Sequence, residues 1–401
     1  MASSDQKEMG RRVAFFRQQL GLSQKQLGQM IDRSEGWVSQ VERGVRKLDR
    51  VSVLESLSDA LGVSVQAIND TRVAISEAPV SWAEGSLNST LAASYALQYS
   101  LTELEPPDVD KIVSESAQTW GLVSGFQHKS LSSVMDLLIP KLEYATRHVT
   151  GDNKRRIDEA RAKAYYAITV TLSNMGEMGA AWVAADRGIA AAESAKEPLL
   201  MAEGAFHLTS VFQGMRRPDL TVRVAITAAR SLEESADLGS IEAISLTGAL
   251  FLEAAMAEAQ RDDVDRAYAY LDIAKDMANR VGEDRNDYHT EFGRNNALAR
   301  EVSIAVELSD AGRALQAAHL VRPGDLSEDR AVRLHIDTAR AWAQRQEFTA
   351  AADALRAASK VDTGSITRYP EVAELVTTAL RLDVSEPYLH KLGRELDQPD
   401  I

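Results

Sequence analysis

The segment from Ser34 to Gly44 carries hydrogen-bonding side chains at the spacing of one helix face. If Val38 and Val41 point inwards, the outward positions are Glu35, Gly36, Trp37, Ser39, Gln40 and Arg43. A glutamine amide can pair bidentately with adenine, and a carboxylate can accept a hydrogen bond from the amino group of cytosine. The chemistry that Gln40 and Glu35 offer is therefore the recognition of base edges in the major groove of DNA.

The surrounding pattern predicts that five short helices between Met9 and Asn69 position this segment. The predicted inward residues are Val13, Phe16, Leu20, Leu27, Ile31, Val38, Val41, Leu54, Leu57, Leu61, Val65 and Ile68. Ser23 and Gln26 have the spacing of a capping box, Ser34 is placed to cap the third helix, and Gly21 and Gly62 follow helices as C-caps. Two helices joined by a tight turn at residues 32–33 form a helix-turn-helix.

These residues resemble the lambda-repressor-like, XRE-type DNA-binding domain. The resemblance rests on residues 21–28 (GLSQKQLG), on residues 34–44 (SEGWVSQVERG), and on Leu54, Leu57 and Leu61. It implies that Gln24 begins the second helix where such domains hold a backbone phosphate. Glu35 and Gly36 depart from the commoner basic-plus-small pair at this place, so the preferred DNA sequence does not carry over.

The same resemblance assigns roles to the remaining polar residues of the predicted DNA-binding domain. Phosphate contacts are expected from Lys25, Arg43, Arg46 and Lys47, with Arg33 close by. Trp37 has two open interpretations, packing in the core or contact with a thymine methyl group or a sugar. Glu42 faces away from the bases in the family and is expected to support the fold by pairing with an arginine.

The charge of the chain is unevenly spread. Residues 1–50 hold ten Lys or Arg and six Asp or Glu, a balance of +4, so the other 351 residues of this −14 chain sum to −18. A basic head on an acidic body is expected where only the head meets a polyanion, although +4 is a modest excess. We place a DNA-binding domain at 1–72, a linker with one helix at 73–108, and a helical body at 109–401, using breaks at residues 76–81 and at the prolines of 105–108.

The body repeats a pattern in which a small or acidic pair precedes an apolar residue and then an alanine. Copies begin at residues 176, 262, 309 and 346, with a degenerate copy at 217–220. The anchoring alanines, Ala181, Ala267, Ala314 and Ala351, are 86, 47 and 37 residues apart. The pattern resembles the tetratricopeptide helix-turn-helix repeat, with longer units than usual. The predicted fold class is therefore all-α, a helix-turn-helix head followed by an α-solenoid whose groove can bind a ligand. A plain dimerisation domain is the alternative.

One polar segment, residues 282–296, interrupts this body of alanine and leucine. It either lines a wet groove or forms a polar network between repeats, because such side chains are costly to bury unpaired. The body is similar to the C-terminal part of actinobacterial XRE-type regulators and, distantly, to peptide-pheromone-responsive regulators. By that analogy the candidate ligand residues are Asn286, Tyr288, His289, Arg294, Asn295 and Asn296. The acidic charge favours a cationic ligand or simply reflects a solvated face.

Several classes of function are not expected. The chain has no cysteine, its seven histidines lack metal-ligand spacing, and it has no phosphate-binding glycine loop or nucleophile elbow. We therefore expect no enzyme, cofactor or metal. A polar N-terminus and the lack of an apolar run of about 18 residues predict a cytoplasmic protein without membrane association.

Together these features predict a transcriptional regulator that binds double-stranded DNA as a homodimer on a palindromic operator, modulated by a peptide or small molecule in the groove. The alternative is a scaffold or antitoxin-like protein that binds a partner, whose head only tethers it to DNA.

Overall fold

The computed structural model divides the chain into two compact units, residues 1–81 and 82–401, called here the head and the body. The structure describes residues 9–10, 13–14, 16–17, 22–31, 33–44, 46, 53, 57, 60–61, 82–93, 95–100, 106–124, 128–234, 239–362 and 366–396. Within these ranges the protein is all-α, a helix-turn-helix head and a helical-repeat body, as predicted. None of the described helices combines the length and apolarity that crossing a membrane requires.

The head contains helix α1 (Gln24–Met30) and helix α2 (Glu35–Glu42). Both predicted N-caps are confirmed, since the Ser23 hydroxyl accepts from the backbone of Gln26 in a reciprocal capping box and Ser34 accepts from the backbone of Trp37. The predicted inward residues among those described are buried or half-buried. They are Val13, Phe16, Leu27, Ile31, Val38, Val41, Leu57 and Leu61. Leu20, Gly21, Leu54, Gly62, Val65, Ile68 and the break at 76–81 lie outside the described residues.

The body consists of seventeen α-helices within the described residues. They are α3 (Trp82–Ala92), α4 (Tyr95–Ser100), α5 (Val109–Ala117), α6 (Thr119–Ser124), α7 (His128–His148), α8 (Gly151–Asn174), α9 (Met178–Ala195), α10 (Pro198–Gly214), α11 (Pro218–Glu234), α12 (Ile241–Ala259), α13 (Val264–Val281), α14 (Arg294–Glu307), α15 (Ala311–Leu320), α16 (Glu328–Gln344), α17 (Phe348–Val361), α18 (Pro370–Arg381) and α19 (Pro387–Leu396). Short 3₁₀ turns cover Asp287–His289, Pro323–Asp325 and Ile366–Arg368.

From α8 onwards the helices form six successive hairpins, each made of an even-numbered first helix and the odd-numbered second helix that follows it. The first helices of neighbouring hairpins also pack on one another, from α8 through to α18. The predicted anchoring alanines, Ala181, Ala267, Ala314 and Ala351, are all fully buried at the start of second helices. Alanine at these points lets the paired helices approach closely, which is why the motif recurs in the sequence.

All six hairpins turn in the same way. After each first helix one residue adopts a left-handed conformation, and the next residue donates a backbone hydrogen bond five residues back into the helix, as in Gln346 followed by Glu347 N to Trp342 O at 2.9 Å. The left-handed residues are Gly176, Arg216, Asp262, Ser309, Gln346 and Asp383. The turns fall on the four predicted motif copies and on the degenerate copy, and the sixth turn, at Asp383, was missed because its sequence keeps none of the pattern.

We expect Gln346→Gly to stabilise the body by about 1 kcal/mol. Gln346 has φ 63°, a conformation that is strained for a side chain with a Cβ and free of strain for glycine. The matched control is Gly176→Ala at the equivalent turn, where φ is 85° and no atom lies within 4 Å of the added methyl group. That substitution should destabilise through the backbone alone. Urea unfolding of both variants measures the effect, and a loss of stability in Gln346→Gly would contradict it.

The predicted linker at 73–108 requires correction where the structure describes it. Two helices, α3 and α4, lie in this region, and Leu87, Leu91 and Tyr95 are buried in the first core of the body. The hydroxyl of Thr90 also donates to Asp136 in α7 at 2.6 Å. Residues 82–108 therefore belong to the body. The two prolines directly precede α5, and the division into compact units places no domain boundary at them.

Candidate functional site

The outward face of the head presents the polar residues that the sequence predicts as DNA contacts. Because Val38 and Val41 anchor α2 in the core, the opposite side of the helix is left in solvent. Exposed residues of the predicted set are Lys25, Arg33, Ser34, Glu35, Gly36, Gln40, Arg43 and Arg46; half-buried ones are Gln24, Trp37 and Ser39. Lys47 lies outside the described residues. The exposed set holds four cations and one carboxylate, a surface suited to a polyanion.

Trp37 packs in part against the core of the head, in line with the first of its two interpretations, and its contact with DNA stays a prediction. The guanidinium groups of Arg33 and Arg46 are each 5.8 Å from the centroid of its ring. At this distance a guanidinium is attracted to the face of an indole. The ring therefore holds two cations next to the exposed face of α2.

Glu42 supports the fold, as predicted. Its carboxylate accepts from Arg17 Nε at 2.6 Å and from Gln24 Nε2 at 2.6 Å, and its side chain is only 7% exposed. Arg17 also donates to the backbone oxygen of Leu22 at 2.6 Å. Glu42 thus connects the end of α2 to the start of α1. The Gln24 amide, predicted to hold a phosphate, is bound to Glu42 in this structure.

In the body, a groove with a cavity of about 570 Å³ runs across α6 and the first helices from α8 to α16. One part of its wall is aromatic. Trp120 stacks on His289 with ring centroids 3.6 Å apart, and His207 lies 5.6 Å from both Trp120 and Phe206. His207 is buried, and its Nε2 atom has no hydrogen-bond partner among the described residues.

The rest of the groove wall is polar and extensively paired. Arg300 of α14 donates to Glu253 of α12 at 2.6 Å, and Gln213 of α10 also donates to Glu253. Arg330 of α16 binds Glu291 at 2.7 Å. Successive first helices are therefore connected across the groove by charge-assisted hydrogen bonds.

The polar segment 282–296 crosses from α13 to α14 as a structured loop. The backbone of Arg285 donates to Phe292 O at 2.8 Å, and the Phe292 ring is fully buried against Gly248 of α12. Tyr288, His289 and Glu291 all have positive φ, between 50° and 59°. Such conformations cost free energy in residues other than glycine and persist only where surrounding contacts enforce them.

The groove contains two of the six residues predicted to bind a ligand, His289 and Asn296. The other four, Asn286, Tyr288, Arg294 and Asn295, are absent from its lining. Asn295 exchanges two hydrogen bonds of 2.9 Å with the backbone of Arg322, and Asn286 accepts from the backbone of Glu291 at 3.1 Å. Asn295 therefore takes part in a polar network between elements of the body, the alternative that the sequence left open, and Asn286 makes a hydrogen bond within the loop.

Several lining residues were missed by sequence reasoning. They are Trp120, Phe206, His207, Gln213, Glu253, Arg300, Arg330 and Arg333. Apart from the adjacent pair Phe206 and His207, they are spread over five helices of the body, so no local motif connects the set. The available signal was the presence of polar residues within first helices otherwise rich in alanine and leucine.

His289 gives this loop a predicted pH dependence. Burial, together with the neighbouring His207 and Lys163, lowers the pKa of His289 to about 4. An unfolded histidine has a pKa of about 6.5. Between that pH and about 4, His289 is therefore protonated in the unfolded chain and neutral in the folded protein. Stability contributed by neutral His289 is present at pH 7 and falls as the pH drops from about 6.5 to about 4. We expect the melting temperature to fall less over this range in His289→Phe, and equal losses in both proteins would contradict the assignment.

Comparison with known proteins gives two matches. Residues 8–69 match the model of a family described as a helix-turn-helix domain. Among solved structures, the chain is similar to Bacillus thuringiensis PlcR, crystallised in complex with the peptide PapR7 and DNA, at 12% identity, covering 87% of this chain and 99% of that chain with a TM-score of 0.31. The curated protein sequences contain no match. The residues that match the helix-turn-helix family model lie in the head.

Proposed function

We propose that the protein is a sequence-specific transcriptional regulator whose head binds the major groove of double-stranded DNA. The observation that carries the proposal is the geometry of α2, which buries Val38 and Val41 and exposes Glu35, Gln40 and Arg43 on the opposite side. In helix-turn-helix domains the second helix of the motif enters the major groove and reads base edges with its outward side chains. Arg33, Arg46 and Lys25 flank this helix as contacts to phosphates.

The operator in this proposal is palindromic and the regulator is a homodimer. Two heads related by a two-fold axis reach one face of a duplex only if their half-sites are about ten base pairs apart. The body supplies the dimer contacts, which leaves the exposed face of α2 available for DNA.

The groove of the body is the effector site in this proposal, and its ligand is a peptide or another small molecule. The cavity of about 570 Å³ is in the range of small-ligand sites, and it combines an aromatic part with fixed polar groups. An effector acts only if it binds two arrangements of the repeats with different affinity. A shift between first helices would change the separation of the two heads and so the affinity for the operator.

Selection of genomic DNA fragments by the purified full chain, at stated salt concentrations, tests the proposal. We expect recovery of a recurrent inverted repeat and a steep loss of affinity with salt, since phosphate contacts release counterions. Recovery of fragments without a shared motif at every salt concentration would contradict sequence-specific binding. A flat salt profile would contradict the assignment of the basic surface.

Two substitutions, one on α2 and one at its C-terminal cap, distinguish contacts to the bases from contacts to the DNA phosphates. Gln40→Ala should reduce discrimination at one base position by about tenfold, because a bidentate pair contributes about 1–3 kcal/mol. Arg43→Ala should weaken binding to all sequences about equally and lower the salt slope by about one. Competition binding with the selected operator and single-base variants measures both effects. If both variants kept the parent's preferences and salt slope, α2 would not be the recognition helix.

A further inference from the structure

A second cavity of the body, of about 350 Å³, is lined by arginines from three consecutive helices. Arg147 comes from α7, Arg161 from α8 and Arg187 from α9, and the one carboxylate in the lining is Glu143. The lining shares no residue with the groove described above. In a chain whose body is strongly acidic, this concentration of guanidinium groups marks a separate feature.

The carboxylates near this arginine pocket are already engaged by other groups. Glu143 binds Arg147 at 2.7 Å and accepts from the Tyr165 hydroxyl at 2.9 Å. Asp158, which lies behind Arg161, accepts from Thr146 at 2.6 Å and from Lys154 at 2.7 Å. Both acids therefore have strong partners that are not Arg161.

Arg161 itself makes only long contacts. Its nearest carboxylate oxygens are 3.5 Å away on Asp158 and 3.9 Å away on Glu143, although its side chain is only 14% exposed. By contrast, Arg300 and Arg313, which are more exposed, reach carboxylates at 2.6 and 2.7 Å. Arg161 is thus a largely buried cation whose two ion pairs are both longer than a hydrogen bond.

Arg187, from α9, lines the same cavity and is half-buried. Its Nη1 atom is buried and has no hydrogen-bond partner in the described part of the chain. The guanidinium group lies 5.9 Å from the centroid of the Tyr165 ring, a contact that gives little compensation for lost hydration. Burial and the negative charge of Glu143 raise the pKa of Tyr165, so this phenol remains a neutral donor to Glu143 and supplies no anion.

Partly buried guanidinium groups whose N–H groups lack close acceptors are costly, and an anion that accepts from several of them lowers the cost. We propose that Arg161 and Arg187, together with Arg147, form a binding site for the phosphate group of a small phosphorylated molecule. A phosphate offers several oxygens at once and so can accept from guanidinium groups on three sides. A carboxylate has only two oxygens and can accept from fewer guanidinium groups at once. The pocket also already contains one carboxylate, that of Glu143.

The size of the cavity indicates more than an inorganic ion. A volume of about 350 Å³ lies at the lower end of small-molecule sites, so the phosphate carries an organic remainder. The remaining wall offers Ala93, Ala190 and the buried Tyr95, an apolar surface that suits such a remainder. The ligand class is therefore a phosphomonoester or pyrophosphate ester of about mononucleotide size, and this proposal does not depend on DNA binding or on an effector in the groove.

Calorimetric titration of the full chain at low ionic strength tests the site with pyrophosphate and adenosine monophosphate as probes, and with citrate as a polycarboxylate comparison. We expect binding of at least one phosphate probe and at least about tenfold weaker binding in Arg161→Gln and in Arg187→Gln, because each loses a charge-assisted hydrogen bond. Matched controls are Arg223→Gln on the exposed face of α11 and Arg43→Gln in the head. Neither control should change the affinity.

Thermal unfolding of the same variants separates a ligand site from a structural cluster. Without probe, Arg187→Gln should melt at or above the temperature of the parent, because it removes a cation whose buried Nη1 atom has no hydrogen-bond partner among the described residues. The proposal is overturned if neither phosphate probe binds or if citrate binds as tightly as both. It is also overturned if Arg43→Gln weakens binding of the probe and the pocket variants do not. A lower melting temperature in Arg187→Gln, with unchanged probe affinity, would make the cluster structural and overturn it as well.

Discussion

Replacing Glu42 by alanine should unfold the head and abolish specific DNA binding. The substitution leaves Arg17, whose side chain is 11% exposed, and the Gln24 amide without their shared acceptor. Removing one partner of a buried ion pair costs about 3–5 kcal/mol, as much as the core of a domain of this size supplies. Hydrogen exchange should then be complete at residues 22–44 and unchanged in the body.

Glu35→Ala is the matched control, because it removes the same charge from the exposed first turn of the same helix. The Glu35 variant should keep the head protected from exchange while altering affinity for the operator. Equal protection in the two variants would mean that the network around Glu42 contributes little to the fold. In that case any loss of DNA binding in Glu42→Ala would indicate a direct contact.

The described part of the head could be predicted from sequence because its signals are local. The cap at Ser23 needs only Gln26 three residues later, and the burial of Val38 and Val41 follows from the helical period. The pairing of Glu42 with an arginine was also predicted, from the family resemblance. The resemblance did not indicate that Gln24 would donate to the same carboxylate. From sequence, a glutamine at this position can bind a phosphate or a neighbouring side chain equally well.

The body was predictable in its turns and unpredictable in its sites. A recurring sequence motif with an alanine five residues after the turn residue located four hairpins, a degenerate copy located a fifth, and the turn at Asp383 was missed. The groove and the arginine pocket depend on which face of each helix meets its neighbours. Trp120 of α6 stacks on His289 of the loop between α13 and α14, and Arg161 approaches Arg187 only through the packing of α8 on α9.

The loop at 282–293 shows how a polar sequence can be ambiguous until its neighbours are known. Its many donors and acceptors fit a ligand site and a structural network equally well by composition. The structure brings Glu291 to Arg330 and Thr290 O to the same guanidinium at 2.8 Å, and these contacts hold the loop on α16. The same contacts place His289 in the groove wall, so the structural network determines the shape of the candidate effector site.

Phe292→Ala should destabilise the body by about 3–5 kcal/mol, the cost of truncating a fully buried phenylalanine. The ring fills the space left by Gly248 on α12, where a Cβ would overlap it. Its loss should also free the loop that carries His289 and Glu291. Urea unfolding gives the stability, and limited proteolysis within residues 282–293 reports the loop.

Tyr288→Ala is the control, because this half-buried ring of the same loop leaves a smaller cavity and should cost less than half as much. Comparable losses in the two variants would mean that the ring of Phe292 does not anchor the loop. Gly248→Ala supplies an independent check through a double-mutant cycle. Its added methyl group should be strongly destabilising beside Phe292 and nearly neutral in Phe292→Ala, since the overlap exists only while the ring is present.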